Sequence, residues 1–252
     1  MNIALFATGD VGLEVARFLR SQHERLSCLA LDSKDPQAEQ IRAVAGVAPD
    51  RVLMSEALAS KNTLLDLAAR NIDLALLAWW PYILKPDVIK IPRLGCLNFH
   101  PSLLPYNRGK NYNFWSIVEG TPFGVTLHHV DAGVDTGDIA FQARIATSWE
   151  DTGKSLYEKA KKDIVRLFID SFPEIKAGRI PRKPQDPSLA SFRRGGEMET
   201  ASRIDLDRTY TGRELLNLLR ARTFPPHPAC TFISEGETYE VRVEIRKVEA
   251  NK

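Results

Sequence analysis

Residues 94–111 read LGCLNFHPSLLPYNRGKN, a short apolar run that ends in Asn98-Phe-His100 and is cut by Pro101. Proline has no backbone N–H and drives the residue before it to extended backbone, so the run predicts a strand that stops at His100. Period-2 geometry sets Asn98 and His100 on one side of that strand. Outward from it, Asn2–Ala7, Arg25–Leu31 and Leu74–Ala78 are further apolar runs of strand length. Between them lie segments with helical spacing: Val11, Val15, Phe18 and Leu19, then Leu64, Leu65, Leu67 and Ala68. Buried strands alternating with helices predict βαβ units, hence an α/β fold on a mostly parallel sheet. An amide and an imidazole at the carboxyl end of such a strand stand where open α/β sheets place their sites.

The pattern changes from Phe123. Val125, Leu127 and His129 alternate with Thr126, His128 and Val130, a turn-rich stretch follows, and a second run covers Asp138–Ala146. Two strands joined by a structured loop fit this better than another βα unit. Asp151 or Thr152 is expected to cap a helix reaching about Phe172, with Leu156, Ala160, Ile164, Leu167 and Phe168 as its apolar stripe. Residues 179–200 hold Pro181, Pro184, Pro187, Gly195 and Gly196 without periodicity, which predicts a linker or a draped loop. Thr211-Gly-Arg-Glu214 has the form of a capping box before Leu215, Leu216, Leu218 and Leu219. Ala229–Ile233 is expected to pair with Thr238–Val248 across Ser-Glu-Gly-Glu. The expected organisation is a catalytic core over 1–178, the loop over 179–200, and a small helix and β-hairpin over 201–252. The last piece cannot stand alone and must pack on the core or on a partner.

Composition narrows the function classes. With 44% hydrophobic and 26% charged residues, the chain has the make-up of an ordinary globular protein. No apolar run approaches the roughly 18–20 residues of a membrane span, and MNIALFATGD has no basic n-region, so it is expected to start a fold rather than to act as a signal peptide. Cys28, Cys96 and Cys230 are too dispersed for a disulfide framework or a zinc cluster, which predicts a reducing cytoplasm and no structural metal. Net charge is +2, from 34 basic and 32 acidic residues, too balanced for a dedicated nucleic-acid binder. The densest basic group, Arg179, Arg182, Lys183, Arg193 and Arg194, is expected to be a solvated loop.

Chemistry concentrates between Gly95 and Gln142. Asp135 lies in Gly133-Val-Asp135-Thr-Gly137, where glycines permit a tight backbone that aims a carboxylate. Asn, His and Asp together suit acyl transfer to an amine. Asn98 can donate to the tetrahedral oxyanion, His100 can take the amine proton, and Asp135 can hold the imidazole and stabilise its cation. Taken singly, an Asn-x-His is a strand end and a D-x-G-x-D-T-G is a turn; the joint pattern carries the argument. His128 and His129 face opposite ways along a strand and make poor metal co-ligands. The N-terminal TGDVG has Gly9 and Gly12 but not the full dinucleotide fingerprint, and Asp10 would repel a pyrophosphate. A tight strand-to-helix turn at Gly9 and Asp10 that lines a substrate pocket is the better interpretation.

The two blocks N-F-H-P-S-L-L-P-x-x-R-G and G-V-T-L-H-x-V-D-x-G-V-D-T-G-D-I resemble the formyltransferase family, over roughly the first 180 residues. The resemblance implies a Rossmann-like core, 10-formyltetrahydrofolate as formyl donor, and Asn98, His100 and Asp135 as the catalytic trio. It also implies that Trp79, Trp80, Pro81, Tyr82 and Ile83 lie against the pterin, mainly through backbone groups. Asp131, Gly133 and Asp138 are implied on the same cofactor. For Trp79 and Trp80, core packing is the alternative.

The stretch Tyr210–Pro226 and its hairpin are similar to the short nucleotide-sugar N-formyltransferases, which implies a homodimer through this region and a nucleotide-linked amino sugar as acceptor, in surface glycan or glycoprotein synthesis. Gly9, Asp10, Arg108, Gly109, Lys110 and Asn111 are the candidate substrate contacts, the cations being suited to a diphosphate. A solvated loop or a helix cap is the alternative for Lys110 and Asn111. The competing expectations are a methionyl-tRNA formyltransferase, disfavoured by the balanced charge and short tail, and a catalytically dead module that only binds nucleotide sugars. An NAD-dependent reductase is disfavoured by the incomplete glycine fingerprint.

Overall fold

The structure, a computed structural model, describes residues 1–248; the last four positions of the expected 201–252 segment lie outside the described residues. In chain order the elements are β1 (Asn2–Ala7), α1 (Gly9–Ser21), β2 (Arg25–Leu31), α2 (Ala38–Ala45), β3 (Val52–Met54), α3 (Lys61–Ala69), β4 (Leu74–Ala78), α4 (Pro86–Ile89) and β5 (Cys96–His100). There follow β6 (Arg108–Gly109), α5 (Tyr112–Glu119), β7 (Gly124–His129), β8 (Ile139–Arg144) and α6 (Gly153–Lys176). The chain ends with β9 (Phe192–Arg193), α7 (Glu197–Ala201), α8 (Gly212–Arg222), β10 (Cys230–Ser234) and β11 (Glu237–Val241). These form two compact units, each drawn from three separate segments of the chain: one comprises Met1–His100, Val125–Ala143 and Lys161–Gln185, the other Pro101–Gly124, Arg144–Ala160 and the described residues from Asp186 onward.

The first unit is built on a seven-stranded sheet of order β3-β2-β1-β4-β5-β7-β8. The pairs from β3 to β5 are parallel, and β7 joins β5 antiparallel. The chain winds from β1 to β3 on one side, then crosses to β4 on the other, so the order reverses between β1 and β4 as in open α/β folds. Ala4, Phe6, Cys28, Ala30, Leu77 and Cys96 belong to one core cluster. Leu97 and Phe99 alternate with Cys96 and Asn98 along β5, and Phe99 meets the ring of Phe168 at 5.1 Å. Phe18 adds edge contacts to Phe168 and Phe172. Each such side chain contributes about 1.5–3 kcal/mol on leaving water. Core on both faces explains why β1, β2 and β4 are apolar at nearly every position.

The second unit holds two small ladders. Arg108 pairs with Phe192 and Gly109 with Arg193, in parallel. The hairpin β10–β11 runs from Cys230 opposite Val241 to Ser234 opposite Glu237, across a turn with Glu235 and Gly236 both left-handed. Helix α8 starts with the expected capping box: Glu214 N–H donates to Thr211 Oγ1 at 3.2 Å, and Thr211 N–H donates to Glu214 Oε2 at 2.8 Å.

Four expectations need adjusting. The final strand ends at Val241 instead of Val248. Pro228 cannot donate to a longer ladder, and the Ala229 N–H is given to the Glu240 carboxylate, 2.8 Å. Helix α6 continues past Pro173 to Lys176, and the buried Phe172 and Ile175 show why that extra turn is retained. Leu65 of the α3 stripe is 71% exposed, whereas Leu67 is buried. The 179–200 segment is not simply draped. Lys183 exchanges both backbone hydrogen bonds with Ile139, and Arg193 lies over the Trp115 ring at 4.2 Å while pairing with Glu119 and Glu197. Among the described residues no helix is long and apolar enough to cross a membrane.

Candidate active site

The carboxyl end of β5 carries Asn98 and His100 on one side, as alternation requires. Towards the amino end, that same side supplies Cys96 to the core, so the polar pair continues a buried face. Pro101 follows and the strand stops. Asp135 reaches them from the loop between β7 and β8. That loop is tightened by Asp131, whose Oδ1 accepts from Gly133 N–H at 3.0 Å and from Thr136 Oγ1 at 2.6 Å. A Cβ at Gly133 would stand 2.1 Å from Thr136 Oγ1, and one at Gly137 only 1.8 Å from the His129 carbonyl oxygen. Position 137 therefore requires glycine, whereas a side chain at Gly133 would displace the Thr136 hydroxyl that bonds Asp131. Asp135 itself sits at φ +54°, a left-handed conformation that Asp tolerates better than most residues.

The three side chains converge. His100 Nδ1 lies 3.5 Å from Asp135 Oδ2, and Asn98 Nδ2 donates to Asp135 Oδ1 at 3.3 Å. The Asn98 amide orientation follows from this, because the flipped amide would face its oxygen to the carboxylate. A fourth group, not anticipated for the site, is His128: its Nε2 is 3.1 Å from Asn98 Nδ2 and 3.4 Å from Asp135 Oδ1. His100 and His128 are both buried, and their rings meet edge to face at 6.0 Å. His129, as alternation predicts, points elsewhere. Its Nε2–H donates to the Pro181 carbonyl at 2.9 Å, and burial holds its pKa below the ordinary value.

Gln185 is a second unanticipated participant. Its Nε2 donates to the carbonyl oxygens of Asp135 at 2.8 Å and Gly137 at 2.7 Å, from within the proline-rich segment. No periodic or compositional signal distinguishes it. His128 was detectable only by knowing that β7 lies antiparallel to β5 with Asn98 opposite His128.

The remaining candidates divide by environment. Trp80 is buried in the core, edge to face with Phe6 at 5.4 Å and Tyr82 at 5.5 Å, so its ring is a packing element. Pro81, Tyr82 and Ile83 are exposed, and Ile83 is 79% so. Trp79 is left-handed, and its carbonyl accepts from Thr8 Oγ1 at 2.5 Å. The Tyr82 hydroxyl donates to Asp32 at 3.0 Å, which raises its pKa. Gly9 N–H is taken by the Asp35 carboxylate at 2.8 Å. Asp10 pairs with Lys161 at 2.7 Å and accepts from Gln37, which lowers its pKa. Two carboxylates at this turn oppose a pyrophosphate, in line with the weak dinucleotide fingerprint. Asp138 is 3.8 Å from Arg182. In the second unit, the backbone of Arg108 and Lys110 pairs with residues 191 and 193. Asn111 is left-handed, caps α5 through its carbonyl, and donates to Gly195 O at 3.1 Å, so its side chain is engaged locally. Among the described residues no group of three His, Cys, Asp or Glu is arranged to hold a metal ion.

An amide donor, two imidazoles and a carboxylate in a water-poor corner can stabilise an oxyanion and move one proton. Comparison with known proteins agrees with that chemistry. A formyl transferase family model matches residues 1–171, and a model of the N-formyltransferase dimerization C-terminal domain matches residues 197–247. The methionyl-tRNA formyltransferase of Thermodesulfovibrio yellowstonii is 27% identical over 257 residues, 97% of this chain and 80% of that protein. That of Listeria monocytogenes is 30% identical over 191 residues, 75% of this chain, and the match spans only 60% of its own length. Among solved structures, a sugar N-formyltransferase of a Shewanella species superposes with TM-score 0.80 at 16% identity, covering 99% of both chains, a likeness of fold. The formyltransferase of Anoxybacillus kamchatkensis, solved with UDP-4,6-dideoxy-4-formamido-L-AltNAc and tetrahydrofolate, has TM-score 0.57 at 25% identity, covering 79% of this chain and 89% of that one.

Proposed function

The chain belongs to the formyl transferase family, and on that premise we propose that it moves the formyl group of 10-formyltetrahydrofolate onto the amine of a nucleotide-linked aminodeoxy sugar. The observation that carries the acceptor is the C-terminal helix and hairpin, whose residues 197–247 match the N-formyltransferase dimerization domain. The Anoxybacillus kamchatkensis complex, with its formamido sugar nucleotide and tetrahydrofolate, supports the same pairing of substrates. In this proposal the enzyme acts as a homodimer through that region, and its product serves surface glycan or glycoprotein synthesis.

The acceptor amine attacks the formyl carbon and a tetrahedral oxyanion forms. Asn98 donates to it, an interaction worth about 2.7–4 kcal/mol for one such donor. His100 takes the amine proton, and Asp135 favours the imidazolium that results. As the intermediate collapses, the imidazolium returns its proton to the folate N10, the bond from N10 to the formyl carbon breaks, and tetrahydrofolate leaves the formamide behind. Pro81, Tyr82 and Ile83 are exposed and present backbone and apolar surface for the pterin, whereas Trp80 serves the site only through its main chain. The side chains of Arg108 and Lys110 are the cations proposed for the diphosphate.

Identity to methionyl-tRNA formyltransferases over most of the chain favours a second acceptor, Met-tRNA. Purified protein, 10-formyltetrahydrofolate, a panel of nucleotide-linked amino sugars and Met-tRNA decide between them, with tetrahydrofolate release as the readout. Formylation of a sugar nucleotide is expected. Formylation of Met-tRNA alone would assign the second acceptor, and binding of sugar nucleotide without tetrahydrofolate release would mean an inactive module.

A further inference from the structure

We propose that His128 is a positioning residue that fixes the orientation of the Asn98 amide, an inference that rests on the acyl-transfer chemistry above. His128 stands directly opposite Asn98 in the β5–β7 ladder, on the same side of the sheet. Its Nδ1 lies 2.8 Å from the carbonyl oxygen of His129. A carbonyl only accepts, so Nδ1 carries the hydrogen, and in that tautomer the lone pair lies on Nε2. That lone pair faces Asn98 Nδ2 at 3.1 Å.

The three atoms Asn98 Nδ2, His128 Nε2 and Asp135 Oδ1 form a triangle with sides of 3.1, 3.3 and 3.4 Å. Seen from Nδ2, the two acceptors are therefore separated by roughly 60°, so the nitrogen side of the amide, and not its oxygen, faces imidazole and carboxylate together. Rotating or flipping the amide would turn its oxygen onto a lone pair and a carboxylate together. His128 is 2% exposed, so water is poorly placed to substitute for it. Asp135 alone would still leave the amide plane free to swing, and it is also the partner of His100. The second imidazole thus separates two duties: it holds the oxyanion donor while the carboxylate serves the base.

The test compares His128→Leu and His128→Gln in steady-state formyl transfer, with melting temperature as the control for folding. Leu removes the acceptor, and kcat is expected to fall about a hundredfold while KM for the folate stays within about threefold. Gln carries an oxygen acceptor at the reach of Nε2, and at least about tenfold of the loss should return. Wild-type kcat in His128→Leu, or no recovery in a Gln variant that melts like the wild type, overturns the proposal. Independently of any acceptor, 15N spectra of the imidazoles should show His128 protonated at Nδ1, and an Nε2-protonated ring overturns it. A wild type that turns over no substrate would instead remove the functional proposal, with the tautomer measurement still able to uphold or overturn the lock.

Discussion

Asp135 is held by backbone geometry as much as by its partners. The left-handed φ of +54° and the two close-approach glycines aim its carboxylate at both Asn98 and His100. Asn tolerates the same conformation, so Asp135→Asn removes the charge with little strain. That variant and His100→Asn are each expected to lower kcat by about 10²–10⁴-fold while folate still binds in a titration; near-wild-type turnover in either would remove that residue from the proton path. His129 gives a separate, pH-dependent prediction. Burial lowers its folded pKa below the ordinary 6.5, so the unfolded chain binds the extra proton first as pH falls. Its contribution to stability is complete above that value and is lost as pH drops through it. The urea midpoint of the wild type should decline more between pH 7 and 5 than that of His129→Gln, which keeps a donor for Pro181; parallel declines would refute this. Asn98, His100 and Asp135 were legible in the sequence because two short blocks join residues of matching chemistry. His128 was correctly separated from His129 by strand alternation, but its place beside Asn98 depends on a register that no local pattern encodes.

The segment from Pro181 to Gln185 works as a strap on the loop that carries Asp135. Pro181 accepts from His129, Lys183 exchanges backbone bonds with Ile139, and Gln185 donates twice to the loop carrying Asp135. Prolines remove N–H donors yet leave carbonyls, so a proline-rich stretch can still accept bonds at alternate positions. Removing the Gln185 amide leaves two carbonyls to find other donors, at about 0.5–1.5 kcal/mol for each bond. Gln185→Ala should lower Tm by a few degrees and kcat several-fold with both substrates saturating, and Gln185→Glu should be no better because a carboxylate cannot donate. Wild-type kcat in both would show that the loop holds Asp135 unaided. The strap escaped sequence interpretation because its role lies in contacts about 50 residues away. By contrast β1, β2, β4 and β5 were plain, since a strand buried on both faces must be apolar nearly throughout. The overlong β11 expectation failed at its partner: alternation persists to Ile245, but Pro228 offers no ladder to pair with it.

At the scale of the molecule, Asn98, His100, Asp135 and the exposed Pro81–Ile83 strip belong to one unit, and the hairpin belongs to the other. A two-stranded hairpin is marginal by itself, and this one is supported along one edge by Arg203 beside Thr231, while Phe232 and Tyr239 stack at 5.2 Å. Even so, Ile233 remains 67% exposed, Leu206 57% and Tyr239 47%. Apolar side chains exposed on both faces of a hairpin within a segment matching a dimerization domain are the natural centre of the proposed homodimer interface. A stable interface of that kind buries on the order of 1,000 Å² or more, and a charge at its centre cannot be desolvated without a partner. The wild type is therefore expected to sediment as a dimer, and Ile233→Glu or Tyr239→Glu as a monomer. Because Asn98, His100 and Asp135 are all held within the first unit, the monomeric variants should keep wild-type affinity for the folate in a fluorescence titration. A monomeric wild type would remove the interface. Dimers that persist in both variants would move it off the hairpin, and lost folate affinity in a folded monomer would show that the donor site depends on assembly.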